Sequence, residues 1–181
     1  MTTWTIDKAH TEIGFKIKHL VISTVSGKFT SFEGKLDGEP EDLKNAKISF
    51  TADADSIHTG NEQRDGHLKS ADFFDAAKYS KLTFTSTKIV QKDGSEYKVT
   101  GDLTIKDVTK PVTLNLEFGG IQNNLYGQTV AGFEITGKIN RRDFGLTWSA
   151  VTEAGGIVVS DEVKLLIDAE LVKEAVAVAV A

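Results

Sequence analysis

Four histidines, His10, His19, His58 and His67, are the residues of this chain best able to bind a metal or move a proton, yet their spacing does not gather them. No two stand four apart with flanking carboxylates, as a metal site on one helix face requires. Asp65, His67 and Ser70 are near enough in sequence to suggest a nucleophilic triad. Three residues so close on one short helix seldom align nucleophile, base and orienter, and no oxyanion-hole turn accompanies them. They read as cap and surface groups. Arg142 and Asp143 are adjacent and opposite in charge, which predicts an ion pair fixing a turn. Neither a phosphate loop nor a dinucleotide fingerprint occurs. No catalytic residue, metal ligand or cofactor is assigned.

His19 differs from the other three because it ends an apolar row. Between Thr11 and His19, the residues Ile13, Phe15, Ile17 and His19 share one side of a strand, opposite Glu12, Lys16 and Lys18. Such period-two alternation marks a half-buried β-strand. At the rim of an apolar interior, His19 can meet a ligand's head group or satisfy a backbone carbonyl at the strand end.

The same alternation recurs along the chain. It runs through Ile48, Phe50 and Ala52; Leu82 and Phe84; Tyr97, Val99, Gly101, Leu103 and Ile105; and Val112, Leu114, Leu116 and Phe118. It continues through Ala131, Phe133, Ile135, Gly137 and Ile139, and through Val163, Leu165, Ile167, Ala169 and Leu171. Turn signals at Asp37-Gly38-Glu39-Pro40, Asp93-Gly94, Gly119-Gly120 and around Gly155-Gly156 separate the runs, as in an antiparallel meander. Between Val25 and Leu36 the apolar phase slips from Val25, Gly27 and Phe29 to Phe32, Gly34 and Leu36, which predicts a bulge or bend near Thr30-Ser31. Glycines inside strands permit the coiling that closes a sheet, so a closed barrel is favoured over a sandwich.

One segment breaks the pattern. Thr59 and Glu62 have capping-box spacing, and the run after them reads as a short helix ending near Ser70. Phe73 and Phe74 follow on a connection so short that they must cover something apolar, either as a plug over one barrel end or as a lid over a cavity.

At 181 residues and with two prolines, the chain predicts one domain over residues 1–174, followed by a Val/Ala tail over 175–181. A net charge of −5, with Lys and Glu alternating along the same strands, gives no basic stripe for a phosphate backbone in the sequence, and no nucleic-acid partner is expected. Zero cysteines exclude disulfides and Cys-ligated zinc. No stretch reaches the roughly 20 apolar residues of a membrane span. Met1-Thr2-Thr3-Trp4 carries no secretory leader, so the chain as written is expected in the cytoplasm, or in the periplasm if a leader has been removed.

Several ordered motifs together carry a family resemblance. The opening WTIDKAHTEIGFKIKHL, then VSGKFTSFEG, SIHTGNEQRDGHLKSADFFDAAKYSKLTF, GDLTIKDVTKPVTLNL and GKINRRDFGLTW span almost the whole chain and resemble the YceI-like family of polyisoprenoid-binding proteins. The resemblance implies an all-β, eight-stranded antiparallel lipocalin-like barrel with a short helical insertion near residues 60–75. It further implies a long-chain isoprenoid lipid held in the lumen, no metal, no turnover, and a homodimer.

Barrel geometry suits such a ligand. A strand of about ten residues rises roughly 33 Å, and a tilt of about 40° leaves a barrel some 25 Å tall whose lumen admits one slender chain. Burying about forty carbons at about 0.8 kcal/mol each nominally exceeds the practical affinity ceiling near 20 kcal/mol, so water is the wrong reference. The lipid comes from a membrane, through a transient contact for exchange, and shape and head group decide selectivity. The candidate ligand-binding residues are the inward rows Ile13, Phe15, Ile17 and His19; Phe29; Ile48 and Phe50; Leu82 and Phe84; Leu103; Leu114 and Leu116; Phe133 and Ile135; and Leu165. Arg64, Phe73 and Phe74 join them from the helical connection, with His19 and Arg64 meeting the polar end. Two other classes stay open: a lipocalin-like enzyme acting on an apolar substrate, which would need an ionisable group deep in the cavity, and a ligand-free structural or stress-response module with a filled core.

Overall fold

Eleven strands, all paired antiparallel, form a single sheet in the computed structural model, which describes residues 1–150 and 158–175. The Gly155-Gly156 loop and the tail beyond Ala175 lie outside the described residues. In chain order the strands are β1 (Thr3–Ile6), β2 (Glu12–His19), β3 (Ser23–Phe29), β4 (Phe32–Asp37), β5 (Lys47–Asp53) and β6 (Ile57–His58), then helix α1 (Glu62–Lys69). After it come β7 (Lys81–Asp93), β8 (Glu96–Ile105), β9 (Val108–Asn123), β10 (Thr129–Asn140) and β11 (Val159–Lys173). The order β1-β4-β5-β7-β8-β9-β10-β11 returns to β1 and closes an eight-stranded barrel.

Closure depends on β11, which serves two partners along its length. Val163–Asp168 pair with β2, while Leu171–Lys173 pair with β1, where Trp4 stands opposite Lys173. β1 and β2 are thus two halves of one wall strand, broken at residues 7–11 by a 3-10 turn. β3 and β4 are likewise collinear, as are β5 and β6. In each case the inward phase flips across the break: Trp4 and Ile6 to Ile13, Phe29 to Phe32, Ala52 to Ile57. The expected bend at Thr30-Ser31 is one of these three, and it is fastened sideways by Thr30 N–H donating to Ser56 O (3.2 Å) and Asp53 N–H donating to Ser31 O (2.9 Å). The first break is pinned on the outside, where Asp7 Oδ2 lies 2.9 Å and Glu170 Oε1 3.8 Å from His10 Nδ1. That pairing raises the His10 pKa and lowers that of Asp7.

Two expectations fail in instructive ways. Gly119-Gly120 make no turn; they lie inside β9, where the register to β10 shifts between Gly132 and Phe133. Gly120 has φ +111°, which only glycine adopts without strain. This bulge moves the inward row from Phe118 to Ile121, and the chain reverses later, at Asn124–Gln128. On α1 the cap is Asn61, whose Oδ1 accepts from Arg64 N–H at 2.9 Å, and not Thr59, which serves a buried carboxylate.

The inward side chains form two clusters. One, containing Trp4, Leu36, Leu43, Ile89 and Tyr97, fills the end where β11 finishes; the other, containing Phe32, Ile57, Phe73, Phe144 and Leu146, gathers where β11 begins. Glycines facing inward make room for neighbouring rings and methyls. A Cβ on Gly101 would sit 2.4 Å from Phe84 Cζ and 2.5 Å from Thr85 O, while one on Gly66, within α1, would meet nothing within 4 Å.

These two glycines therefore respond with opposite sign in urea unfolding. Gly101→Ala loses about 1–3 kcal/mol, because a paired backbone carbonyl cannot retreat. Gly66→Ala gains about 0.5–1 kcal/mol by removing a flexible residue from a helix interior.

Candidate functional site

Between the two clusters the barrel is not filled. A cavity of about 720 Å³ remains, within the range of sites that enclose one small ligand. Every candidate ligand-binding residue borders it. Ile13, Phe15, Ile17 and His19 of β2, Phe29 of β3, and Ile48 and Phe50 of β5 form one side of the wall. Leu82 and Phe84 of β7, Leu103 of β8, Leu114 and Leu116 of β9, Phe133 and Ile135 of β10 and Leu165 of β11 form the other. They arrive together because antiparallel register places inward residues opposite one another: Phe15 faces Leu165, Ile13 faces Phe29, and Phe50 faces Phe84. Trp4, Leu43 and Tyr97 are buried below and do not border the space, so that end is closed.

The opposite end is covered by α1, the turn after it and the segment from Arg141 to Trp148. Here the lining turns polar, with His19, Asn61, Gln63, Arg64, His67 and Arg141. No carboxylate borders the cavity among the described residues. Phe73 and Phe74 cover it as aromatic contacts: Phe74 meets Phe29 edge-on at 6.0 Å, and Phe73 lies 5.4 Å from the Trp148 ring. The His67 ring stands edge-on to both Phe73 (5.1 Å) and Trp148 (4.8 Å), with Nε2 2.8 Å from Asp72 Oδ2.

The helix itself has almost no apolar face and is held by a polar relay. Asp65 is buried, contrary to its reading as a surface group, and its Oδ1 accepts from Thr59 N–H (2.9 Å) and Thr59 Oγ1 (2.5 Å). Arg64 then donates through Nε to Thr59 Oγ1 (2.7 Å) and through Nη2 to Thr59 O (2.8 Å). This fixes the guanidinium at the cavity border. Asp65, His67 and Ser70 do not assemble as a triad: Asp65 turns to Thr59, His67 to Asp72, and Ser70 Oγ donates to the His67 carbonyl at 2.6 Å. The His19 ring makes no hydrogen bond to a described residue, and its backbone carbonyl accepts from Ser23 Oγ at 3.1 Å.

Arg141 was missed from sequence, although it continues the inward row Ile135, Gly137, Ile139. It is 2% exposed and donates from Nη1 to Leu146 O (2.6 Å) and Trp148 O (2.7 Å), and from Nε to Ser160 O (2.9 Å). Burial lowers its pKa, and Asp161, 3.6 Å from Nη2, offsets part of that. The cation thereby holds the Trp148 segment against the start of β11. Arg142 pairs with Asp161 (Nε to Oδ1, 2.7 Å) rather than with Asp143.

Comparison with known proteins agrees with this architecture. Residues 4–171 match the model of the YceI-like domain. A UPF0312 protein of Staphylococcus aureus strain MSSA476 is 42% identical over 171 residues, covering 94% of this chain and 97% of that relative. A UPF0312 protein of Staphylococcus epidermidis is equally similar, at 42% with the same coverage. Among solved structures, the Campylobacter jejuni YCEI protein is 39% identical with a TM-score of 0.76, covering 93% of this chain and 96% of that one. A polyisoprenoid binding domain from Saccharophagus degradans, implicated in plant cell wall breakdown, shares the fold at 18% identity and a TM-score of 0.66, covering 96% and 98% of the two chains.

Replacing Arg141 tests its structural role. Arg141→Met leaves several buried carbonyls without a donor and lowers stability by at least about 3 kcal/mol in urea unfolding. Arg141→Lys restores only part, since one ammonium cannot span the carbonyls that the planar guanidinium reaches. Trp148 emission shifts to the red in both variants.

Proposed function

The chain belongs to the YceI-like family, and we propose that it binds one long-chain isoprenoid lipid, of polyprenyl or isoprenoid-quinone type, in the barrel lumen and carries or stores it unchanged. The observation that carries this reading is the unfilled, apolar, one-ended cavity. At about 24 cal/mol per Å³ a dry void of 720 Å³ would cost on the order of 17 kcal/mol, more than the about 5–15 kcal/mol by which a typical domain is stable. Water is a poor filler for such walls. A flexible hydrocarbon chain entering from the mouth is a good one.

The distribution of polar groups supports binding over turnover. A reaction in the lumen needs an acid or base within reach of the buried part of the substrate. Below the mouth the polar residues along the wall are, among the described residues, Lys35, Ser49 and Thr83, and each alternates with inward-facing neighbours, which puts its side chain on the outer face of the barrel. A ligand-free module is disfavoured for the converse reason, since its own side chains would have filled the space. His19 and Arg64 meet the polar end of the lipid while the Phe and Leu rows hold its chain. That the Saccharophagus domain of the same fold is described as binding a polyisoprenoid is consistent with this assignment. Exchange requires transient contact with a membrane, because a prenyl chain does not cross water unaided.

The test is coelution on gel filtration of delipidated protein with a long-chain isoprenoid quinone, followed by its absorbance. The wild type binds close to one quinone per chain. Ile135→Trp, which fills lumen space without touching the wall hydrogen bonds, weakens binding at least about tenfold while the fold persists. Failure of the wild type to take up the quinone, or equal uptake by the variant, would contradict a lumen site.

A further inference from the structure

The turn from β2 to β3 puts three aliphatic side chains in solvent. Val21 is 74% and Ile22 85% exposed, with Leu20 beside them at 38%. Leu20 (φ +53°) and Val21 (φ +65°) both adopt the left-handed region, uncommon for any residue other than glycine and most of all for the β-branched Val21. The turn is nonetheless fastened, by Leu20 N–H donating to Val158 O at 2.8 Å and Ser23 Oγ donating to His19 O at 3.1 Å. His19 and Val158 both border the lumen, so the tip stands at the mouth.

Charge is arranged around the tip. On the outer face Lys16 of β2, Lys164 of β11 and Lys138 of β10 lie directly opposite one another in register, and Lys18 is one step nearer the tip. Of these four lysines only Lys138 has a described carboxylate within 4 Å, Glu162 at 3.8 Å. Four residues further from the mouth, about 13 Å along the strands, the same face carries an in-register row of Glu12, Asp168, Glu134 and Glu117. The face is thus basic beside the mouth and acidic away from it.

We propose that the Leu20–Ile22 tip and the Lys138-Lys164-Lys16 row form a docking surface for an anionic lipid bilayer, which sets the lumen mouth against the membrane. The inference rests on the reading of the lumen as an isoprenoid site. Aliphatic side chains inserted among acyl chains, with lysines held at head-group level, make an interfacial anchor. The chain's net charge of −5 opposes approach to such a bilayer, so the local lysine row determines which end faces it. A second copy of the chain is the poorer occupant, because a two-fold contact through this patch would bring lysine row against lysine row.

Vesicle flotation tests this with phosphatidylcholine vesicles that contain or lack phosphatidylglycerol. The wild type binds the anionic vesicles at least about tenfold more tightly, and high salt removes the difference. The double substitution Val21→Asp/Ile22→Asp and the double substitution Lys16→Glu/Lys164→Glu each weaken that binding at least about tenfold, with unchanged thermal unfolding. Leu125→Asp/Tyr126→Asp, at the exposed loop of the far end, leaves it at the wild-type level. Equal binding to both vesicle types, unchanged binding by the tip variant, or an equal loss in the far-end control overturns the proposal. So does a tip variant that turns a dimer into a monomer on sedimentation while vesicle binding persists. Quinone delivered from cyclodextrin separates the two readings: the tip variant takes it up as the wild type does. A wild type that docks on anionic vesicles yet takes up no quinone sustains the docking surface while the lumen assignment falls.

Discussion

A sheet closed on itself has an inner face that no second layer can cover, and most of this structure follows from that constraint. The apolar rows pointing inward must be satisfied by one another, by solvent, or by something brought from outside. At the closed end they satisfy one another, through Trp4, Leu36, Leu43 and Tyr97. Higher up, the walls stay apart. Where inward positions hold glycine, at Gly101 and Gly137, the neighbouring Phe84 and Leu114 fold into the gap instead of reaching across the lumen. The vacancy is therefore built from the choice of small residues in the wall as much as from strand number.

Polar chemistry is confined to the mouth and is mostly structural. Asp65, Thr59 and Arg64 hold the short helix in place, and Arg141 ties the Trp148 segment to β11. Both arrangements bury charge with its hydrogen-bond partners, which keeps the desolvation cost tolerable and makes the loss of one partner expensive. With cationic and neutral groups bordering the cavity and no carboxylate among the described residues, the mouth is suited to a polar or anionic head and the depth to a hydrocarbon chain. The closed end and the lidded end thus differ in kind, one packed with side chains and the other bordered by polar groups.

Much of this was legible in sequence because period two is a strict rule. Each inward row could be read residue by residue, and antiparallel pairing then brought them into one interior, part of it packed at the closed end and part bordering the cavity. The difficulties came where one extra residue or a short break shifts the phase. Two adjacent glycines signal a turn, and at Gly119-Gly120 they serve a bulge that lets β9 run on to Asn123. The separate reversal from β8 to β9 at Lys106-Asp107 carries no glycine or proline, with Lys106 itself in the left-handed region at φ +58°. Thr59 and Asn61 compete for one helix start, and the side chain that reached the Arg64 N–H was decided by the Asp65 contact with Thr59. Arg141 lies inside because its odd-numbered place continues the row of Ile139, a position that its charge does not advertise.

Native mass spectrometry of the protein purified without detergent tests the central claim most directly, that the lumen is an apolar pocket, closed at one end and matched to one chain. The account predicts a single adduct with the mass of one long isoprenoid lipid, or an empty protein that takes up one such lipid on titration. An empty protein that takes up none, or one that binds several lipids without saturating at one, would contradict it.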